Sequence, residues 1–137
     1  MKPKQVLFID TSAFIALKVS DDHHYSQAQS FLKTIQKYQY KLHTSNFILD
    51  EVYTYFCKHH DIAIEMGRLI LDNPLITLNQ ITVKDEQKAW EILLTFQDKT
   101  FSYTDATSFA LMERLGILTA FSFDKHFEQY NKFEIVP

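Results

Sequence analysis

Val6-Leu7-Phe8-Ile9 is an unbroken apolar run that stops at Asp10. Four apolar residues without alternation suit a strand buried on both faces, as in a parallel sheet. Ser12 follows as a cap for a short helix to about Val19. From about Asp22 to Tyr38, the spacing of Ala28, Phe31, Leu32 and Ile35 predicts a longer amphipathic helix. Tyr40 to Thr44 reads as a second strand. Thr44, Ser45 and Asn46 are all able to cap a helix to about His59, and Asp61 opens another that ends near Asp72, before Asn73-Pro74. Leu75 to Ile81 is a third strand. Thr82-x-x-Asp85 is a capping box for a helix to about Phe96. Residues 104–115 form a helix stopped by Gly116, Leu118 to Phe123 a fourth strand, and Phe133 to Val136 a short fifth. Strands alternating with helices predict a three-layer α/β/α sandwich with a mostly parallel central sheet, in one domain over residues 1–137.

Composition narrows the chemistry. The chain has only two glycines, Gly67 and Gly116, too few and too far apart for a Walker loop or a GxGxxG turn. One cysteine, Cys57, excludes an internal disulfide framework and a cysteine-based zinc cluster. The adjacent pairs His23-His24 and His59-His60 lack the i, i+4 spacing of a helical metal pair and read as surface. No apolar run is long enough to span a membrane, and the charged opening residues do not read as a leader, so the cytoplasm is the expected compartment.

The acids carry the most information. Asp10 and Asp124 each end an apolar strand, and in open parallel sheets ligands bind beyond the carboxyl ends of the strands. A plain turn residue accounts for either one alone. Glu51 sits within an apolar stripe, with Phe47, Ile48 and Tyr55 within about 60° of it on a helical wheel. Burying a carboxylate there costs several kcal/mol unless something pairs with it; Lys58 and a position at the stripe edge are the plain alternatives. Its neighbour Asp50 points to solvent. Asp105 shares a face with Phe109 and Met112 and also completes a capping box with Ser102. Four carboxylates brought together would repel and take up protons, and a divalent cation relieves this. Oxygen donors favour Mg²⁺ or Mn²⁺ over zinc.

Phe8-Ile9-Asp10-Thr11-Ser12-Ala13-Phe14, Leu49-Asp50-Glu51-Val52, Ser102-Tyr103-Thr104-Asp105-Ala106 and Phe121-Ser122-Phe123-Asp124-Lys125-His126-Phe127 occur in this order. Together they resemble the PIN domain, and within it the VapC-like branch that includes toxins of toxin–antitoxin pairs. The resemblance implies an α/β/α sandwich and a Mg²⁺- or Mn²⁺-dependent endoribonuclease that leaves 5′-phosphate and 3′-hydroxyl ends. It also implies that Asp10, Glu51, Asp105 and Asp124 bind the metal and that a hydroxyl, Thr11 or Ser12, lies near the site. His126 belongs to the last motif, as a loop support or a phosphate contact.

The formal net charge is −3; setting aside the four site acids leaves 13 acidic against 14 basic residues, nearly neutral. RNA affinity is then expected to be modest and salt-sensitive. Lys99, Arg114, Lys125 and Lys132 are candidates for holding the RNA backbone, and Tyr103 and Tyr130 are candidate exposed rings for stacking on bases. A toxin implies an antitoxin partner that covers the pocket. The apolar helices between about Asn46 and Asp72 offer a groove for it, a homodimer face, or simply core. Two rival enzymes fit poorly. A phosphatase-type aspartate nucleophile wants an acid at position 12, which is serine, and a receiver-type switch wants acids before Ile9. A non-catalytic RNA- or protein-binding module of the same fold is the remaining alternative.

Overall fold

A computed structural model of the chain describes residues 5–137; the charged opening, residues 1–4, lies outside the described residues. Five strands form the sheet: β1 (Val6–Ile9), β2 (Lys41–Ser45), β3 (Ile76–Asn79), β4 (Thr119–Phe121) and β5 (Glu134–Val136). Their order is β3-β2-β1-β4-β5, and every neighbouring pair is parallel. Seven helices connect them among the described residues: α1 (Thr11–Lys18), α2 (Tyr25–Tyr38), α3 (Asn46–Phe56), α4 (His60–Leu71), α5 (Val83–Thr95), α6 (Tyr103–Leu115) and α7 (Lys125–Tyr130).

Leu7, Phe8 and Ile9 are all buried, as an unbroken apolar run on a central strand requires. Parallel strands need right-handed crossovers. The chain therefore winds one way from β1 to β3, then reverses to lay down β4 and β5, which puts helices on both faces of the sheet. On one face, α1, α2 and α4 close over Ile9, Leu42, Ile76 and Phe121. Around α6, a cluster of rings fills the core: Phe109 stacks on Tyr130 at 4.3 Å and meets Phe101 and Phe127 edge-on. The winding reverses between β1 and β4, where Asp10 N donates to Phe121 O at 3.1 Å. Both strands open their carboxyl ends at that point.

Several element ends differ from the sequence reading. The first helix is capped by Asp10, whose carboxylate accepts from Ser12 N; Ser12 is inside the helix and its hydroxyl is used elsewhere. The second helix starts at Tyr25, because Asp22 turns the chain by accepting from His24 N. Ser45 is the cap of α3, which ends at Phe56, before His59. Helix α4 starts at His60, with His59 as its cap residue. Both capping boxes, Thr82 with Asp85 and Ser102 with Asp105, are formed as expected, and Gly116 ends α6 in the left-handed conformation. The six-residue helix α7 has no counterpart in the sequence reading, because it is too short for a periodic pattern to declare itself.

Candidate active site

Asp10 leaves β1, and Asp124 follows β4 as the cap of α7, so these two acids open side by side at the reversal point. Helix α3 brings in Glu51, and the first turn of α6 brings in Asp105. Asp10, Glu51 and Asp124 line one cleft of about 460 Å³, together with Thr11, Ser12 and Tyr55. Asp105 joins from the other side: one of its oxygens, one from Asp124 and a ring nitrogen of His126 lie within 4.8 Å of one another. The four acids singled out from the sequence thus converge, and Asp50 is exposed as expected.

Each of the four is fastened through a single oxygen. Oδ2 of Asp10 accepts from Ser12 Oγ at 2.8 Å and Ser122 Oγ at 3.0 Å. Oε1 of Glu51 accepts from Thr11 Oγ1 at 2.6 Å. Oδ2 of Asp105 accepts from Ser102 N at 3.0 Å, and Oδ1 of Asp124 accepts from His126 N at 2.9 Å. Among the described residues no hydrogen bond reaches the second oxygen of any of them. The hydroxyl of Ser12 also accepts from Phe123 N at 2.9 Å, joining the loop after β4 to the start of α1.

This much negative charge in a partly dry place is costly. Burial pushes the Asp10 carboxyl up to about 7; the Ser12 and Ser122 hydroxyls oppose the rise, and the charges of Asp105 and Asp124 add to it. Burial also raises Glu51, against the pull of Thr11, and raises Asp105, against its Ser102 hydrogen bond. The plain alternative of a Lys58 partner for Glu51 is not realised; Thr11, forty residues away in sequence, takes that place. Carboxylate oxygens that repel one another, with no lysine or arginine paired to them among the described residues, are a donor set suited to a hard divalent cation.

His126 is closer to the acids than its reading as a loop support implied. Nδ1 lies 2.9 Å from Asp105 Oδ2 and 3.1 Å from Asp124 Oδ1, and Nε2 lies 3.1 Å from Thr100 Oγ1. Although it is within ion-pair distance of both carboxylates, Nδ1 is hydrogen-bond aligned with neither.

Other candidates fall away. Tyr130 is a core ring, its hydroxyl donating to Glu113 at 2.7 Å, and is not available for stacking. Arg114 is committed to the buried Asp85 through two hydrogen bonds of 2.7 and 2.9 Å. Lys99 pairs with Asp98 and Lys132 with Glu113. Lys125 is exposed and lines a second hollow of about 260 Å³ on the far side of Asp124, with His24 and Phe123. His24 is not a plain surface residue: its ring lies parallel to Phe123 at 4.4 Å. Only the geometry shows this, since a histidine pair in a loop carries no periodic signal. In α3 and α4, Val52, Phe56, Ala63, Met66 and Ile70 are core, with a cleft of about 520 Å³ beside them lined by Leu49, Tyr53 and Leu71.

Comparison with known proteins bears on the fold and the family. The chain is 29% identical over 134 residues to the "23S rRNA-specific endonuclease VapC20" of Mycobacterium tuberculosis strain H37Rv, covering 96% of this chain and 99% of that protein. The crystal structure of VapC20, described as a sarcin-ricin loop cleaving toxin, superposes with a TM-score of 0.83 over 96% of this chain and 99% of that one. The fold also matches VapBC2 from Rickettsia felis, with a TM-score of 0.69 at 11% identity over 96% and 97% of the two chains. No helix among the described residues is long and apolar enough to cross a membrane. The PIN domain matches residues 7–133, nearly the full length, and this chain belongs to that family.

Proposed function

We propose that this protein is a Mg²⁺- or Mn²⁺-dependent endoribonuclease, acting in the cytoplasm as a single unit over residues 1–137, and the toxin of a toxin–antitoxin pair. The observation that supports it best is the single-oxygen fastening of the four acids. Each carboxylate gives one oxygen to the scaffold and keeps the other for a ligand. Asp85, the other buried acid among the described residues, spends both of its oxygens on Arg114 and Thr82.

On this reading Asp10, Asp105 and Asp124 would hold the cation. Its chemistry there would be to neutralise the cluster, lower the pKa of a bound water and offset charge on the phosphate. Glu51 stands across the cleft, oriented by Thr11, and positions the attacking water for in-line approach to phosphorus. The Ser12 and Ser122 hydroxyls hold Asp10 through Oδ2, which orients its carboxylate before substrate arrives. His126 presents Nδ1 to both Asp105 and Asp124, at 2.9 and 3.1 Å, and closes that side of the acid cluster.

The RNA class follows from the similarity to VapC20, whose described target is 23S rRNA. A structured ribosomal RNA loop is therefore the substrate to try first. The partner is a protein antitoxin that covers the acid cleft; VapBC assemblies share this fold. Incubating the purified protein with total and ribosomal RNA, with Mg²⁺, with Mn²⁺ and with EDTA, tests the proposal. Discrete metal-dependent cleavage with 5′-phosphate ends is expected. Binding of RNA without cleavage in either metal would mark a non-catalytic module instead.

A further inference from the structure

Resting on the nuclease reading, we propose that Tyr55 is a positioning residue for RNA, a platform on which a base next to the cleaved bond stacks. Tyr55 lies one helical turn beyond Glu51 on α3 and lines the same cleft as Asp10, Glu51 and Asp124. Tyr55 is 58% exposed, so its ring is open to solvent at the cleft edge. The ring is not loose: Phe56, itself buried, meets it edge-on at 4.9 Å and 82°. No hydrogen bond among the described residues uses its hydroxyl. The result is a braced apolar face held open beside the acids.

The other rings near the site are already occupied. Phe123 and His24 stack on each other. Tyr103 donates its hydroxyl to Glu86 at 2.9 Å, leans on Phe47, and does not line the acid cleft. Tyr55 is thus the ring of this cleft with a face to offer. RNA cleaved at a loop presents unstacked bases, and an aromatic ring accepts any of them because every base has a π-face. With the four site acids set aside the chain's charges nearly balance, so stacking adds affinity that phosphate contacts supply only modestly.

The test compares the wild type with Tyr55→Ala, Tyr55→Phe and Tyr55→Trp. The probe is a short single-stranded oligoribonucleotide spanning a cleaved bond, or a loop RNA of matching length, intact or abasic at one position in turn. Binding is read first, at low salt in EDTA, so that the outcome does not depend on cleavage. Tyr55→Ala is expected to weaken binding of the intact probe about tenfold, the size of one base stack, while Phe and Trp retain it. One particular abasic probe should erase the difference between wild type and Tyr55→Ala. In Mg²⁺ the same variant should raise KM by a similar factor with kcat within about twofold. Equal binding by wild type and Tyr55→Ala overturns the proposal, and so does a loss that every abasic probe shows alike. A wild type that shows the stacking signature in EDTA yet never cleaves would refute the nuclease reading and leave the platform standing.

Discussion

The hydroxyl of Thr11 donates a 2.6 Å hydrogen bond to Oε1 of Glu51, tying the first turn of α1 to the middle of α3 across forty residues of sequence. That bond fixes where the carboxylate points. Glu51→Gln preserves the acceptor oxygen and should leave the melting temperature nearly unchanged while slowing cleavage at least about 100-fold. Thr11→Val removes the donor and should cost about tenfold, the range of a hydrogen bond to a charged group. Initial rates on one RNA, with melting curves alongside, check both. Unchanged cleavage by Glu51→Gln would remove this residue from the mechanism.

The Asp10 carboxyl, raised from 3.8 to about 7, makes stability depend on pH in a definite direction. Between those values the folded chain keeps a proton that the unfolded chain has lost. Stability therefore falls as pH rises from about 4 to about 7 and stays reduced above that. Glu51 and Asp105 shift the same way. In EDTA the melting temperature should be lower at pH 8 than at pH 5.5. Mg²⁺ or Mn²⁺ should raise it more at pH 8, and Asp10→Asn should flatten both responses. A metal-free profile without slope would contradict the reading.

Asp85 works in the opposite sense. Burial alone would raise its carboxyl, but the Arg114 and Thr82 hydrogen bonds hold it below the ordinary value. Its stabilisation is present above that ordinary value and is lost as pH falls through the lowered one. Arg114→Ala leaves a buried carboxylate without its cation and should destabilise by about 2–3 kcal/mol, moderated by the partial exposure of Arg114. Cleavage per folded molecule should be unaffected, since this pair binds α5 to α6 away from the cleft. Denaturant unfolding and cleavage rates together separate the two.

Lys125 is exposed beside Asp124, whereas Lys132 is paired with Glu113. Lys125→Ala should weaken RNA binding and reduce the salt slope by about one, if it meets a phosphate, and Lys132→Ala should leave both unchanged. Binding titrations at three salt concentrations distinguish them.

The sequence carried the strands and the acids because both are local statements. An apolar run that stops at Asp10, and a glutamate within an apolar stripe, can be read one element at a time. Their convergence came instead from the resemblance, since periodicity does not say which strands are neighbours. The fastening of the acids was not legible, because its donors are remote: Thr11 reaches Glu51 and Ser122 reaches Asp10 across 112 residues. Tyr130 is a core ring and not the exposed one expected, because its partner Phe109 lies in another helix and no local pattern announces that contact. His126 was placed beside the site by its motif, but its distance to two carboxylates at once depends on α7 and α6 meeting in space.

Asp105 is both the third residue of a helix cap and a member of the acid cluster. Silencing it therefore has two different outcomes depending on the replacement. Alanine deletes an anchor at the head of α6, so a dead Asp105→Ala protein says little about chemistry. Asparagine keeps an oxygen for Ser102 and removes only the charge. For trapping the intact RNA or preparing a harmless version for expression, Asp105→Asn is the form to make.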